Sequence, residues 1–107
     1  MDNDLHYLEL TEAAHLIQTK KISPVELTES MLRRVESLDR RLHAYARLTP
    51  ELALKQARQA ENEIMNFRYR GTLHGIPIGL KDLCYIQDIP TAAGTTIHRN
   101  FRPAFNG

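Results

Sequence analysis

One lysine in this chain stands where it could move a proton. Lys81 closes the run Leu73-His74-Gly75-Ile76-Pro77-Ile78-Gly79-Leu80-Lys81-Asp82. Ile76, Ile78 and Leu80 recur at period two, which predicts a strand with one buried face. Gly75 and Gly79 allow other backbone to approach closely. A lysine at the dry end of such a strand tends to lose its proton, because desolvation disfavours the charged form. Neutral, it can act as a general base or as the proton shuttle for a serine nucleophile. The plainer alternative is a surface lysine that ends a strand or pairs with Asp82.

The other reactive side chains make no complete site. The serines are Ser23, Ser30 and Ser37, all in or beside one predicted helix and none next to a glycine. The single cysteine, Cys84, lies in the apolar context Leu83-Cys84-Tyr85-Ile86 and is read as a small core residue. The histidines at 6, 15, 43, 74 and 98 lack the spacing of a metal site, and no metal is expected. His74, close before Lys81, is read as structural or solvent-facing. Gly75 to Lys81 is no phosphate loop, since the G-x-x-x-x-G-K-[ST] spacing is absent and Asp82 follows the lysine.

Helices must position this lysine. Thr11 as N-cap, Ala13, Leu16 and Ile17 on one side, and Lys20-Lys21 at the end predict a helix over 11–20. Ser23-Pro24-Val25-Glu26 is a capping box with proline at the first helical position. Leu27, Met31, Val35 and Leu38 then build one apolar stripe. His43 to Leu48 is a short strand candidate. Thr49-Pro50 opens a third helix reaching about Phe67, with Ala53, Ala57, Ala60 and Ile64 as its stripe. Past Gly71 the helical period stops, and glycines and prolines punctuate short extended pieces. Residues 1–70 are therefore expected to be mainly helical, and 71–107 to form a strand and loop region carrying the lysine.

The run around Lys81, followed by Ile89-Pro90-Thr91-Ala92-Ala93-Gly94-Thr95-Thr96, resembles the amidase signature family. In that family a lysine in a G-I-P-x-x-x-K-D context completes a Ser–cis-Ser–Lys triad. Ser23-Pro24-Val25-Glu26-Leu27, Leu38 to Tyr45 and Ala53 to Ala57 look like the family's N-terminal helical region, so the likeness runs from Leu8 to Asn106. It implies an α/β fold: N-terminal helices, then the first strands of a large mixed sheet covered by helices. It implies hydrolysis of a carboxamide, with Lys81 as the catalytic lysine and Asp82 and Thr95 as structural support near it. Hydroxyls of the Thr91–Thr96 loop are expected to reach the Lys81 side chain. The family's Gly/Ser-rich signature lies downstream of its lysine, and no such run occurs here. The chain is thus expected to be the N-terminal part of a single amidase domain, inactive alone. Asp88, where the family usually has glycine, and Asn106-Gly107, where Asp-Ala is usual, depart from the pattern.

Composition narrows the partners. A net charge of +1 gives no bulk attraction for nucleic acid. Arg33-Arg34 and Arg40-Arg41 alternate with Glu29, Glu36 and Asp39, as on a solvated helix face. No apolar run is long enough for a leader or a membrane span, and one cysteine allows no internal disulfide; both point to the cytoplasm. No cofactor is implied. The expected partner is a small-molecule amide, with self-association through an exposed strand edge. Other readings remain open: the catalytic subunit of a tRNA-dependent amidotransferase, and a non-catalytic helical interaction module.

Overall fold

Ser23 starts the longest helix as its sequence predicts. Its hydroxyl accepts from the Glu26 N–H at 2.9 Å, and the Glu26 carboxylate accepts from the Ser23 N–H at 3.0 Å. Two donors that a helix start leaves without partners are thus satisfied. The computed structural model describes residues 2–107, with side chains from Leu5 onward. A short 3₁₀ helix, Asp2–Tyr7, leads to α1 (Leu10–Gln18), α2 (Pro24–Leu42) and α3 (Pro50–Met65). The chain divides into two units, Met1–Pro77 and Ile78–Gly107.

In the first unit α2 packs against α3 and against the 3₁₀ helix. The stripes read from the sequence face inward. Leu5, Ala13, Ile17, Ile22, Leu27 and Ile64 form the buried core, with Leu8, Leu16, Met31, Tyr69 and Ile76 packed on it. Ala57 and Ala60, buried on α3, keep that helix close to its neighbours. On the far side of α2, Arg33, Arg40 and Arg41 are exposed, while Arg34 lies 5.4 Å from the Tyr7 ring. No helix among the described residues is long and apolar enough to cross a membrane.

Helix boundaries differ from expectation where side-chain oxygens compete. The N-cap of α1 is Glu9, two residues before the predicted cap Thr11. Glu9 and Glu12 complete a capping box there, with the Glu12 carboxylate accepting from the Glu9 N–H at 3.2 Å. α1 also ends earlier than predicted, and Lys20 follows it in the left-handed region at φ 63°. Thr49 precedes α3, but its side chain makes no capping bond.

Neither predicted strand forms. Residues 43–48 bend because His43 ends α2 in the left-handed region and Asp39 Oδ1 accepts from the N–H groups of Ala44 (2.7 Å) and Tyr45 (3.3 Å). That carboxylate turns the chain back on its own helix. Residues 76–80 also lack strand structure, although they are not helical. Alternation supplies a face but not a neighbour, and a strand exists only as one partner of a ladder. Ile76 is half-buried, whereas Ile78 and Leu80 are exposed. The described residues are therefore helical with irregular connections, and the sheet half of the expected α/β fold is not seen in them.

Candidate active site

The unit Ile78–Gly107 has no regular element, so its backbone groups are satisfied between segments. Residues 85–91 run beside 101–107 in the opposite direction. Asp88 N–H donates to Pro103 O (2.9 Å), Thr91 N–H to Phe101 O (2.8 Å) and Gly107 N–H to Tyr85 O (2.9 Å). The Asn106 side chain adds a fourth tie by accepting from Gln87 N–H at 2.8 Å. Tyr85 lies 5.6 Å from Phe101 and 5.7 Å from Phe105, ring centre to ring centre. Thr91 and Pro103 are the buried residues of this pairing. Asp88 takes φ 64°, a conformation in which glycine is unstrained and aspartate is tolerated. The departure from glycine at this position is thus a departure at a left-handed turn.

Lys81 opens this unit's first turn. Its carbonyl accepts from Cys84 N–H at 2.9 Å. The side chain is exposed, and its amine has no hydrogen-bond or ion-pair partner among the described residues. In particular it does not pair with Asp82. The half-buried Asp82 faces the loop instead: Oδ1 accepts from Ala92 N–H (3.2 Å) and the backbone carbonyl from Ala93 N–H (2.8 Å). The residue next to the lysine is therefore bonded at two points to the Thr91–Thr96 loop. Thr95 serves that loop internally, since Oγ1 accepts from His98 N–H at 3.2 Å rather than meeting Lys81. Cys84 is exposed rather than in a core, as are its neighbours Leu83 and Tyr85. An apolar context in sequence buries a cysteine only where something covers it.

The serines lie in the other unit and serve helix α2. Ser23 caps it, Ser30 is buried within it, and Ser37 Oγ donates to Arg34 O at 2.9 Å.

One constellation in the first unit was not legible from spacing. His74, with its side chain 5% exposed, has both ring nitrogens bonded. Arg70 N–H donates to Nδ1 at 3.0 Å, so Nε2 carries the proton and donates to Glu63 Oε1 at 2.9 Å. The Arg70 guanidinium reaches the same oxygen at 2.9 Å. The bond from His74 above all, and more weakly the Arg70 charge, hold the Glu63 carboxyl below the usual carboxylate range against an opposing effect of desolvation. His74 is thus structural, as the sequence suggested. Its partner Glu63 lies across a turn, where no local pattern links the two. Among the described residues no three histidine, cysteine or acidic side chains converge to hold a metal ion.

The amidase family profile matches residues 26–107, and the chain belongs to that family. It is 55% identical over 107 residues to proteins of Mycobacterium bovis and Mycobacterium tuberculosis named "Putative amidase AmiD", covering 99% of this chain and 22% of each relative. It is 39% identical over 103 residues to a Glutamyl-tRNA(Gln) amidotransferase subunit from Chloroflexus aurantiacus, covering 96% of this chain and 21% of that protein. The chain therefore spans about a fifth of the length of the curated relatives it matches.

Proposed function

We propose that this chain supplies the proton-shuttling lysine, Lys81, of an amidase that cleaves a carboxamide C–N bond by a Ser–cis-Ser–Lys relay. On this reading the nucleophilic serine and the relay serine lie on a Gly/Ser-rich segment outside these residues. The nucleophile attacks the amide carbonyl, and its proton passes through the relay serine to Lys81. That proton then returns to the leaving amine as the C–N bond breaks, and water hydrolyses the acyl ester. Lysine accepts a proton only when neutral, which calls for dry surroundings supplied by further chain. The run 76–80 would then gain neighbours and join a mixed sheet, with 1–107 the N-terminal part of one domain. A small-molecule amide is the substrate class and a reducing, cytoplasmic compartment the setting.

The observation that carries the reading is the family match across the G-I-P-x-x-x-K-D run, whose Asp82 is tied to the following loop. A second reading has support from the 39% identical amidotransferase relative: the same lysine chemistry, with ammonia passed to another acceptor. The higher identity to the proteins named amidase favours hydrolysis.

The test has two arms. Residues 1–107, purified, should not turn over simple amides; turnover abolished by Lys81→Ala would place a complete site within them and overturn the split. In the longer protein, Lys81→Ala and Lys81→Arg should both abolish hydrolysis while circular dichroism stays unchanged, because a guanidinium does not deprotonate near neutral pH. Near-normal activity in Lys81→Arg would remove the shuttle role.

A further inference from the structure

The turn after α3 is held by side chains that exchange protons, and this carries an inference independent of the amidase reading. Within the turn, His74 N–H donates to Gly71 O (3.0 Å) and Ile76 N–H to Leu73 O (3.1 Å). These bonds shape the turn but do not attach it to a helix. Two side chains tie it to α3: His74, whose ring bonds Arg70 N–H on one side and Glu63 on the other, and Arg70, whose guanidinium meets the same Glu63 oxygen at 2.9 Å. The titratable or charged groups on the ring are Glu63 from α3, and Arg70 and Tyr69 from the turn, Tyr69 stacked with centroids 6.0 Å apart. From α1 and α2 the turn meets Ile17 and Pro24, which do not titrate.

We propose that His74 is an acid-sensitive latch: a proton added at Nδ1 breaks its bond to the Arg70 N–H while the ring and the Arg70 guanidinium stay on Glu63. An imidazolium has no lone pair, so Nδ1 would change from acceptor to donor and face the Arg70 N–H, donor against donor. It would also place a second positive charge beside the Arg70 guanidinium on one carboxylate oxygen. Glu63, held below the usual carboxylate range, keeps its charge and its hold on Nε2.

The test uses residues 1–107 and hydrogen exchange by NMR, corrected for intrinsic exchange. Between pH 8 and pH 5 the Arg70 amide should lose protection by roughly tenfold, the size expected for one lost hydrogen bond, while amides within α3 hold theirs. His74→Asn keeps an acceptor near Arg70 N–H but does not titrate, so the pH dependence should vanish in it. A flat profile in the native chain, or an unchanged profile in His74→Asn, overturns the latch. Should His74→Asn fail to fold, ring-nitrogen shifts of the native chain decide. An unprotonated Nδ1 at pH 8 that gains its proton as Arg70 protection falls supports the latch; a proton on Nδ1 at pH 8 overturns it.

Discussion

The backbone of Gly75 lies on the ring of Pro24: a Cβ built at Gly75 would come 2.7 Å from Pro24 Cγ and 3.2 Å from its Cβ. Pro24 therefore has two tasks. It starts α2 at a position where its missing N–H is no loss, and it seats the turn that follows α3. Gly75 itself is at φ +85°, so the position demands glycine both for its backbone and for its lack of a side chain.

Gly75→Ala should therefore lower stability by about 2–4 kcal/mol, the sum of a left-handed alanine and an overpacked contact. Gly94→Ala is the control. Gly94 is also left-handed, at φ +75°, but nothing lies within 4 Å of its Cβ direction, so its loss should be only about 1 kcal/mol. Urea unfolding of both variants gives the comparison, and equal losses would mean that the Pro24 contact is not what the turn depends on.

At Asp88 the expectation has the opposite sign. Its N–H donates to Pro103 O and its carbonyl accepts from Arg102 Nη1 at 2.9 Å, and both bonds survive a change of side chain. Asp88→Gly should be neutral or stabilising by up to about 1 kcal/mol, since relief of the left-handed strain offsets the extra freedom of glycine when unfolded. Asp88→Val should destabilise by about 1–2 kcal/mol, because a branched side chain resists positive φ. Thermal melts that rank valine with glycine would contradict the assigned backbone.

Asp82→Ala should uncouple the residue after Lys81 from its loop. The Ala92 amide loses the Oδ1 acceptor and should exchange roughly tenfold faster, for a loss of about 1 kcal/mol. The Ala93 amide keeps the carbonyl of residue 82 and should change less. Asp82→Asn retains an acceptor oxygen and should preserve most of the protection. If alanine and asparagine behave alike, the side-chain bond is not what holds the loop.

For Glu63 the direction of the pH effect follows from its lowered pKa. A carboxyl with a lower pKa folded than unfolded stabilises the folded state above the unfolded value, here 4.5, and that contribution disappears as pH falls through the folded value. The stability difference between the native chain and Glu63→Gln should thus shrink as pH falls from 4.5 through the folded value. Urea midpoints measured from pH 6 down to pH 2.5 would show this. A difference that grows on acidification would reverse the sign.

Local chemistry made much of the helical unit readable. The Ser23 box and the proline after it mark the start of α2 within four residues, and the stripes at Leu27, Ala57, Ala60 and Ile64 follow from helical period alone. Legibility failed where an oxygen could choose between equivalent tasks: Glu9 displaced Thr11 as the cap of α1, and Asp39 bent a segment whose alternation suggested a strand. The run at Ile76–Leu80 shows a different limit, because pairing depends on what lies alongside and not on the run. Of the candidate site, Asp82 was singled out by its place beside Lys81, but its bonds to the Ala92 and Ala93 amides join residues ten and eleven apart and follow from no local pattern. The Glu63–His74 bond was not legible either, since residues eleven apart meet only once a helix and a turn have formed.

The thinness of the second unit's interior has a calorimetric consequence. From Ile78 onward only Thr91 and Pro103 are buried, while Ile78, Leu80, Leu83, Ile97 and Phe105 already face water. Heat capacity rises on melting in proportion to the apolar surface newly wetted, at about 12–15 cal/mol/K per residue for an ordinary domain. Residues with little left to wet add little to that step. The isolated chain should therefore melt with a heat-capacity increment nearer to about 1 kcal/mol/K, that of the helical unit, than to the roughly 1.4 kcal/mol/K of an ordinary domain of its full length.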